Sequence, residues 1–169
     1  LPSGAENLNY VLYTDESPYK MQREWLDRLP FDIYSVNVHT GAKRLIGRSY
    51  RTAPKWSVNG KWAVMYDPIA QVWNKFDGAT GKVVNISDAI GYPMFVESYD
   101  KPAPAPAYGI AGWTADGNNV FLYDAYDWWK IDLTGERQPE CLTKGYGRKH
   151  GKSIRKMTSN IDMLEIGRA

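Results

Sequence analysis

The sequence contains two copies of one twelve-residue pattern, WSVNGKWAVMYD at residues 56–67 and WTADGNNVFLYD at residues 113–124. The two copies keep a constant offset of 57 residues from the first tryptophan to the closing aspartate. Each copy begins with Trp, passes through an Asn-Gly or Asp-Gly pair and ends in an apolar run. A repeat at this spacing indicates that the chain is built from successive copies of one supersecondary unit.

The Asn-Gly and Asp-Gly pairs predict two-residue hairpins, in which both turn residues adopt positive φ. The strand after the first hairpin alternates between two sets of side chains. We expect one set on each face of the strand, because successive residues of a β-strand point to opposite sides. The first set is Trp62, Val64 and Tyr66, and the second is Lys61, Ala63 and Met65.

Each unit continues with an aromatic strand, a glycine turn and a short closing strand. These parts are residues 72–77, Gly81 and residues 83–87 in the first unit, and residues 128–132, Gly135 and residues 140–143 in the second. A partial copy precedes them, with strands expected at residues 10–15, 32–38 and 44–46. Four short strands in roughly 40–50 residues, repeated, are typical of a β-propeller blade.

The predicted fold is therefore all-β, a partial β-propeller of about two and a half four-stranded antiparallel blades in an open arc. Propellers close with about 4–8 blades, so we expect a fragment of a larger propeller, whose open edges favour self-association. The expected parts are a partial blade at 8–49, a blade at 50–91, a proline-rich loop at 92–107, a blade at 108–144, and the start of a further blade or a tail at 145–169. Residues 153–157 are the candidate strand in that last part.

Two further features concern side chains rather than strands. Met21, Trp25 and Leu29 are spaced four residues apart, which predicts a short amphipathic helix within Lys20–Pro30. Tryptophans at equivalent repeat positions, Trp56 with Trp113 and Trp73 with Trp129, predict packing between neighbouring blades. The full predicted blade signature is Trp56, Asn59, Gly60, Tyr66, Asp67, Trp73, Gly81, Trp113, Asp116, Gly117, Tyr123, Asp124, Trp129 and Gly135.

Composition narrows the function classes. The aromatic fraction of 14% favours strands. A net charge of +2 gives no reason to expect a nucleic-acid or membrane-surface partner. The single cysteine, Cys141, excludes an internal disulfide and a cysteine-based zinc site. The sequence has no apolar run of the ~20 residues that a membrane helix needs.

Three segments resemble a known family: YGIAGW at 108–113, LYDAYDWWKID at 122–132 and LTKGYGRK at 142–149. They closely resemble the N-terminal β-propeller of prolyl oligopeptidase family serine peptidases of the Bacteroidetes type, which are relatives of dipeptidyl peptidase IV and acylaminoacyl peptidase. The resemblance covers residues 8–152 and is strongest from 108 to 150. The chain departs from the family pattern at Ala125, where a long basic residue is usual, and at Trp128, where an aliphatic one is.

In that family the propeller caps an α/β-hydrolase domain and admits only small peptides. The resemblance implies that this chain is a non-catalytic segment that gates substrate access and scaffolds the catalytic domain of a serine peptidase acting on oligopeptides. Its implied partners are the rest of the propeller, the hydrolase domain and peptide substrates. It also implies a bacterial cell-envelope or periplasmic location. The alternative is a stand-alone propeller that binds a peptide, a glycan or another protein.

No catalytic residue is expected in this chain. An α/β-hydrolase nucleophile requires Gly-x-Ser-x-Gly, and the sequences around Ser49 and Ser153 lack the second glycine. His39 lies near a predicted hairpin turn and His150 in a basic run. We expect that run to form a solvated blade edge. It comprises Arg148, Lys149, His150, Lys152, Arg155 and Lys156.

Aspartates recur at strand ends, where a carboxylate accepts backbone N–H bonds of a turn. We therefore predict a structural role for them and no metal or other cofactor. These residues are Asp67, Asp77, Asp124, Asp127 and Asp132. The proline-rich loop contains KPAPAPA at 101–107, which favours an extended polyproline II path. Long loops are often functional, and the aromatic residues around this one are the candidates for substrate binding. They are Tyr92, Phe95, Tyr99 and Tyr108.

Overall fold

The computed structural model describes residues 8–156, which form three antiparallel β-sheets. The first sheet has three strands in chain order, β1 (Tyr10–Asp15), β2 (Phe31–Asn37) and β3 (Lys43–Tyr50). The second and third sheets each have four strands in chain order. Within the described residues the sheets do not close into a ring. The prediction of an all-β, partial propeller is confirmed.

The second sheet consists of β4 (Lys55–Trp56), β5 (Trp62–Asp67), β6 (Val72–Asp77) and β7 (Val83–Asn85). The third sheet consists of β8 (Ile110–Trp113), β9 (Asn119–Tyr123), β10 (Trp128–Asp132) and β11 (Glu140–Cys141). Short 3₁₀ helices occupy Ser17–Gln22 and Asp88–Ile90, and α1 spans Tyr146–His150. No helix among the described residues has the length and apolar character needed to cross a membrane.

The second sheet is packed on both faces, and β5 shows this best. Val64 and Tyr66 belong to a buried cluster with residues of the third sheet, whereas Ala63 and Met65 belong to a cluster with residues of the first. The third-sheet members are Val120, Leu122 and Ile131, and Leu133, directly after β10, joins them. The first-sheet members are Phe31, Ile33 and Tyr50. The predicted alternation is confirmed. Each fully buried apolar side chain contributes about 1.5–3 kcal/mol to the stability of the fold. The second sheet therefore needs a neighbouring sheet on each face to bury its two sets of side chains.

The first pair of equivalent tryptophans packs between sheets, as predicted. Trp56 lies against the cluster shared by the first and second sheets, edge-on to Phe76 with 6.3 Å between ring centroids. Trp113 lies against the cluster shared by the second and third sheets. Each tryptophan of this pair therefore faces the preceding sheet.

The predicted equivalence of Trp73 and Trp129 is wrong by one residue. The strand register pairs Tyr66 with Trp73 and Tyr123 with Trp128, so Trp128 is the true counterpart of Trp73. Six residues separate Tyr66 from its partner Trp73 but only four separate Tyr123 from Trp128, which displaces the repeat offset after Asp124. Trp129 consequently packs toward the second sheet, on the face opposite to Trp128.

The hairpin turns also differ from the prediction, because only their glycines have positive φ. Gly60 has φ 71° and Gly117 has φ 73°, while Asn59 and Asp116 keep ordinary values. In the first turn, the Asn59 Oδ1 accepts hydrogen bonds from the Ser57 hydroxyl (2.6 Å) and the Lys61 N–H (3.1 Å). This side-chain bonding extends the loop, which is closed by the Ser57 N–H to Trp62 carbonyl bond of 2.7 Å.

The amphipathic helix predicted within Lys20–Pro30 is wrong. A 3₁₀ helix with Pro18 in its first turn begins earlier and ends at Gln22. Met21 is 85% exposed and Trp25 77% exposed, whereas Leu29 is buried. The three residues therefore share no face. In the tail, residues 153–156 adopt no regular structure, and Met157 lies outside the described residues.

Antiparallel strands in chain order place successive connections at alternate ends of the sheets. One end, here called the long-loop end, comprises residues 16–30, 51–54, 68–71, 86–109 and 124–127. Residues 142–156 join it, because the backbone N–H of Gly147 bonds the Asp127 carboxylate at 2.9 Å. The opposite end carries the tight turns at 38–42, 57–61, 78–82, 114–118 and 133–139.

Candidate functional site

The proline-rich loop is closed at its base. Phe95 and Ala107 form an isolated antiparallel bridge, and the Val96 N–H donates to the Pro106 carbonyl at 2.9 Å. Met94, 2% exposed, anchors the base in the core. The Tyr66 hydroxyl donates to the Ala105 carbonyl at 3.3 Å, which ties the loop to the end of β5.

The four aromatic candidates lie in different surroundings. Tyr92 is 44% exposed, with the Arg148 guanidinium 3.8 Å from its ring centroid. Phe95 packs against the core cluster between the second and third sheets. Tyr108 lies 5.4 Å below the Arg155 guanidinium. Tyr99 lines a cavity beneath the proline-rich loop. Of the four, Tyr99 therefore faces an enclosed space.

That cavity, here called the Arg51 cavity, has a volume of about 70 Å³. Three segments of the long-loop end contribute its lining. The lining residues are Arg51, Thr52, Tyr66, Pro68, Tyr99, Pro104 and Pro106. The Arg51 Nε is buried and has no hydrogen-bond partner in the part of the chain that the structure describes. Arg51 thus contributes to the cavity wall, while its Nε is enclosed by the surrounding protein and not open to the cavity.

The phenol of Tyr66 in this wall stays neutral. Burial, with a smaller effect from the Asp67 carboxylate, raises its pKa to about 12. Tyr50, close by at the end of β3, has its pKa raised to about 12 for the same two reasons. At neutral pH the charge that the cavity wall presents is therefore the positive charge of Arg51.

A second polar cluster lies in the third sheet, around Asp124. This residue is fully buried, and its Oδ1 accepts the backbone N–H groups of Tyr126 (2.7 Å) and Asp127 (2.6 Å). Its Oδ2 accepts the Trp129 indole N–H at 2.9 Å and an Arg148 Nη at 3.0 Å. Burial alone would raise the pKa of Asp124, but these hydrogen bonds outweigh it and hold the pKa below 3.8.

Asp127 fixes the tail in the same cluster. Its Oδ1 accepts the Thr143 hydroxyl (2.5 Å) and the Gly147 N–H, and its Oδ2 accepts the Arg148 N–H at 3.0 Å. Gly147 is required there, because a Cβ at this position would lie 2.5 Å from the Tyr126 carbonyl oxygen. The Asp124–Asp127 cluster is thus fully engaged in holding residues 142–156 and has a structural role.

The other strand-end aspartates bind their own turns, as predicted. Asp67 accepts the N–H groups of Ile69 and Ala70, and Asp77 accepts those of Ala79 and Thr80. Asp132 accepts the N–H and the hydroxyl of Thr134. Among residues 8–156, no group of three or more His, Cys, Asp or Glu side chains is placed to hold a metal ion.

The basic run divides into two kinds of residue. Arg148 pairs with Asp124, and Arg155 donates to the Asp124 carbonyl at 2.8 Å. The remaining members are exposed, as expected for a solvated edge. They are Lys149, His150, Lys152 and Lys156. His39 lies at the opposite end of the sheets from His150, bonded to Asn9.

Sequence analysis did not find Arg51. The repeat carries no signal for it, because the position 57 residues later is Tyr108. Its cavity forms only when the β3–β4 connection, the β5–β6 turn and the proline-rich loop meet. Arg51 belongs to no repeated motif, so no pattern in the sequence predicts that these three connections come into contact around it.

Neither the models of known protein families nor the curated protein sequences contain a match to this chain.

Proposed function

We propose that this chain is a non-catalytic propeller segment that gates substrate access to a serine peptidase of the prolyl oligopeptidase type and scaffolds its catalytic domain. The observation that carries the proposal is the asymmetry of the two ends of the sheets. Among the described residues, the long-loop end bears five large exposed apolar side chains, whereas the opposite end is made mainly of tight turns and bears one, Val38. The exposed residues at the long-loop end are Met21, Trp25, Ile69, Tyr92 and Tyr146.

Exposed apolar side chains gathered on one surface mark an interaction site. Met21 (85% exposed), Trp25 (77%) and Ile69 (66%) are far more exposed than core residues of these types. A catalytic domain covering this end would bury them. The stacked sheets below supply a rigid support, and the projecting loops would narrow the path that a peptide takes to the catalytic domain.

The test is a fluorogenic peptidase panel with X-Pro, acyl-Ala and X-Glu leaving groups. It is run on this chain and on the longer protein that the proposal requires. We expect no cleavage by this chain alone and cleavage by the longer protein that a serine-reactive phosphonate inhibits. If both are inactive while this chain binds a peptide or glycan, the peptidase proposal fails and the chain is a recognition module.

Matched variants test the docking surface within the longer protein. Trp25→Ser with Ile69→Ser removes apolar side chains from the long-loop end. Val83→Ser with Val84→Ser removes exposed apolar side chains from β7, away from that end. We expect the first pair to lower activity or to admit longer peptides, and the second pair to leave both unchanged. Equal effects of the two pairs would contradict the proposed surface.

A further inference from the structure

The side-chain amide of Asn59 joins the tight-turn ends of the second and third sheets. Its Nδ2 donates to the Asp116 carbonyl at 2.9 Å and to the Asn118 Oδ1 at 3.3 Å. Gly117 lies so close that a Cβ at that position would be 2.6 Å from the Asn59 Cγ. The Asn59 amide therefore fits tightly against the β8–β9 turn, and its nitrogen ties one sheet to the next.

The repeat separates the atoms of Asn59 that serve its own turn from the atom that reaches the next sheet. Asp116 is the equivalent residue, 57 positions later. Its Oδ1 accepts a hydroxyl and a backbone N–H of its own turn, as the Asn59 Oδ1 does. A carboxylate can therefore hold this turn. The Nδ2 of Asn59, which an aspartate lacks, makes the contact between the sheets.

Asn59 is followed by Gly60, and this is the single Asn-Gly pair of the sequence. A glycine has no side chain to hinder its backbone nitrogen, so that nitrogen can attack the amide carbon of a preceding asparagine. The Gly60 nitrogen forms a bond to the Asn59 Cγ, the Cγ–Nδ2 bond breaks, and ammonia leaves with the Gly60 proton. Water then opens the succinimide ring to aspartate or isoaspartate. The reaction needs no oxidant and no co-reactant besides water.

The folded turn restrains this reaction. The Gly60 N–H donates to the Ser57 carbonyl at 2.9 Å, and the Asn59 amide is hydrogen-bonded through both its oxygen and its nitrogen. The Asn59 side chain must leave the third sheet before its Cγ can meet the Gly60 nitrogen. Local opening of this kind costs less free energy than unfolding of the whole chain. The rate of the reaction therefore depends on how often the contact between the two turns opens.

We propose that Asn59 is a modification site at which spontaneous deamidation uncouples the second and third sheets at their tight-turn end. The aspartate product keeps the Oδ1 bonds of the turn, but a carboxylate oxygen replaces Nδ2. That oxygen faces the Asp116 carbonyl, and neither of the two can donate to the other. Lys75 still donates to the Leu133 carbonyl at 2.5 Å, so the fold loosens without coming apart. The change requires this chain alone, and an inactive longer protein would not affect it.

The first test is peptide mapping by mass spectrometry of the full chain, aged at mildly alkaline pH in water enriched in heavy oxygen. We expect heavy oxygen to enter at Asn59 at least tenfold faster than at Asn37, which precedes the β-branched Val38. Unfolding in urea is expected to accelerate the reaction at Asn59 further. The proposal is overturned if Asn59 reacts no faster than Asn37. Equal rates in the folded and unfolded chain would show that the fold does not hold the Asn59 amide, which also overturns it.

Variants measure the coupling between the sheets. Asn59→Asp reproduces the deamidated side chain and is expected to lower Tm by about 2–4 °C. Asn37→Asp is the matched control, because the Asn37 Oδ1 accepts two N–H groups of its own turn and its Nδ2 has no partner among residues 8–156. It is expected to leave Tm unchanged.

An NMR spectrum of the wild-type chain is expected to show an NOE between the Asn59 side-chain amide and the Gly117 α-protons. Equal Tm values for the two variants, or the absence of this NOE, would refute the coupling. Complete unfolding of Asn59→Asp would refute it as well, because the turn is expected to survive the change.

Discussion

Asp124 shows how one carboxylate connects distant parts of the chain. It is fully buried and accepts hydrogen bonds from its own turn, from the Trp129 indole and from Arg148. The Arg148 side chain in turn covers the ring of Tyr92 at 3.8 Å. Through Asp124, the β9–β10 turn, the tail and the start of the proline-rich loop are joined at one point.

We predict that Asp124 makes the stability depend on acidic pH. Hydrogen bonds hold its folded-state pKa below its ordinary value, so its contribution is complete above about pH 4 and is lost as pH falls through the folded pKa. Asp124→Asn leaves donors without a charged acceptor and is expected to lower the free energy of unfolding by about 2–4 kcal/mol at pH 7. Urea denaturation at pH 7 and pH 3 measures both effects.

Asp100→Asn is the matched control, because Asp100 is exposed in the proline-rich loop. It is expected to leave the wild-type difference between pH 7 and pH 3 unchanged, whereas Asp124→Asn reduces that difference. A loss below 0.5 kcal/mol for Asp124→Asn would show that the cluster around it is not formed in solution.

The sequence predicts the hydrogen bonds of Asp124 to its own turn but not its ion pair with Arg148. Its position at a strand end predicted the bonds to its own turn, because those depend on local spacing alone. The Arg148 partner is 24 residues away, in a run of basic residues that favours a solvated edge. Whether such an arginine turns inward depends on the fold of the tail, which local spacing does not contain. Arg51 escaped prediction for the same reason.

Most of the contacts that hold the proline-rich loop to the sheets are at its base. The Val96–Pro106 hydrogen bond and the Phe95–Ala107 bridge close it, and Met94 anchors it. We predict that replacing residues 97–106 with Asn-Gly-Ala preserves the fold, because a two-residue turn can join the ends of this antiparallel pair and the alanine supplies the N–H that Pro106 lacks. Thermal melting and an amide NMR spectrum check this.

Met94→Ala is the comparison for that element. Met94 is 2% exposed, and truncating a buried methionine costs about 2–5 kcal/mol. One buried side chain is therefore expected to matter more for stability than ten loop residues. If the loop replacement unfolds the chain while Met94→Ala is tolerated, the loop itself holds the sheets together and this description of it is wrong.

Strand positions were predictable because the repeat shows each strand more than once, while their exact register was not. Two fewer residues separate Tyr123 from its cross-strand partner than separate Tyr66 from its own, so Trp128 and not Trp129 corresponds to Trp73. Apolar spacing also predicted a helix around Met21 and Trp25, which are exposed instead. In both places the connection between two strands differs in length from its counterpart in the repeat. Spacing patterns that hold within strands therefore do not predict the structure there.

The three sheets act as one stack because strand β5 of the middle sheet is buried on both faces. β5 is buried from Ala63 to Tyr66, with alternate residues in two separate clusters. This stacking brings the long loops to a common end and forms the Arg51 cavity from three connections. The proposed gating function depends on this common end.

Methyl NOE spectroscopy on the full chain tests this stacking most directly. The account predicts contacts from the Met65 methyl group to Ile33 and its cluster in the first sheet, and from the Val64 methyl groups to the Val120 and Leu122 cluster in the third sheet. Observation of both sets would establish that the second sheet is packed between its neighbours. Absence of either set would contradict the arc of stacked blades, and with it the common long-loop end.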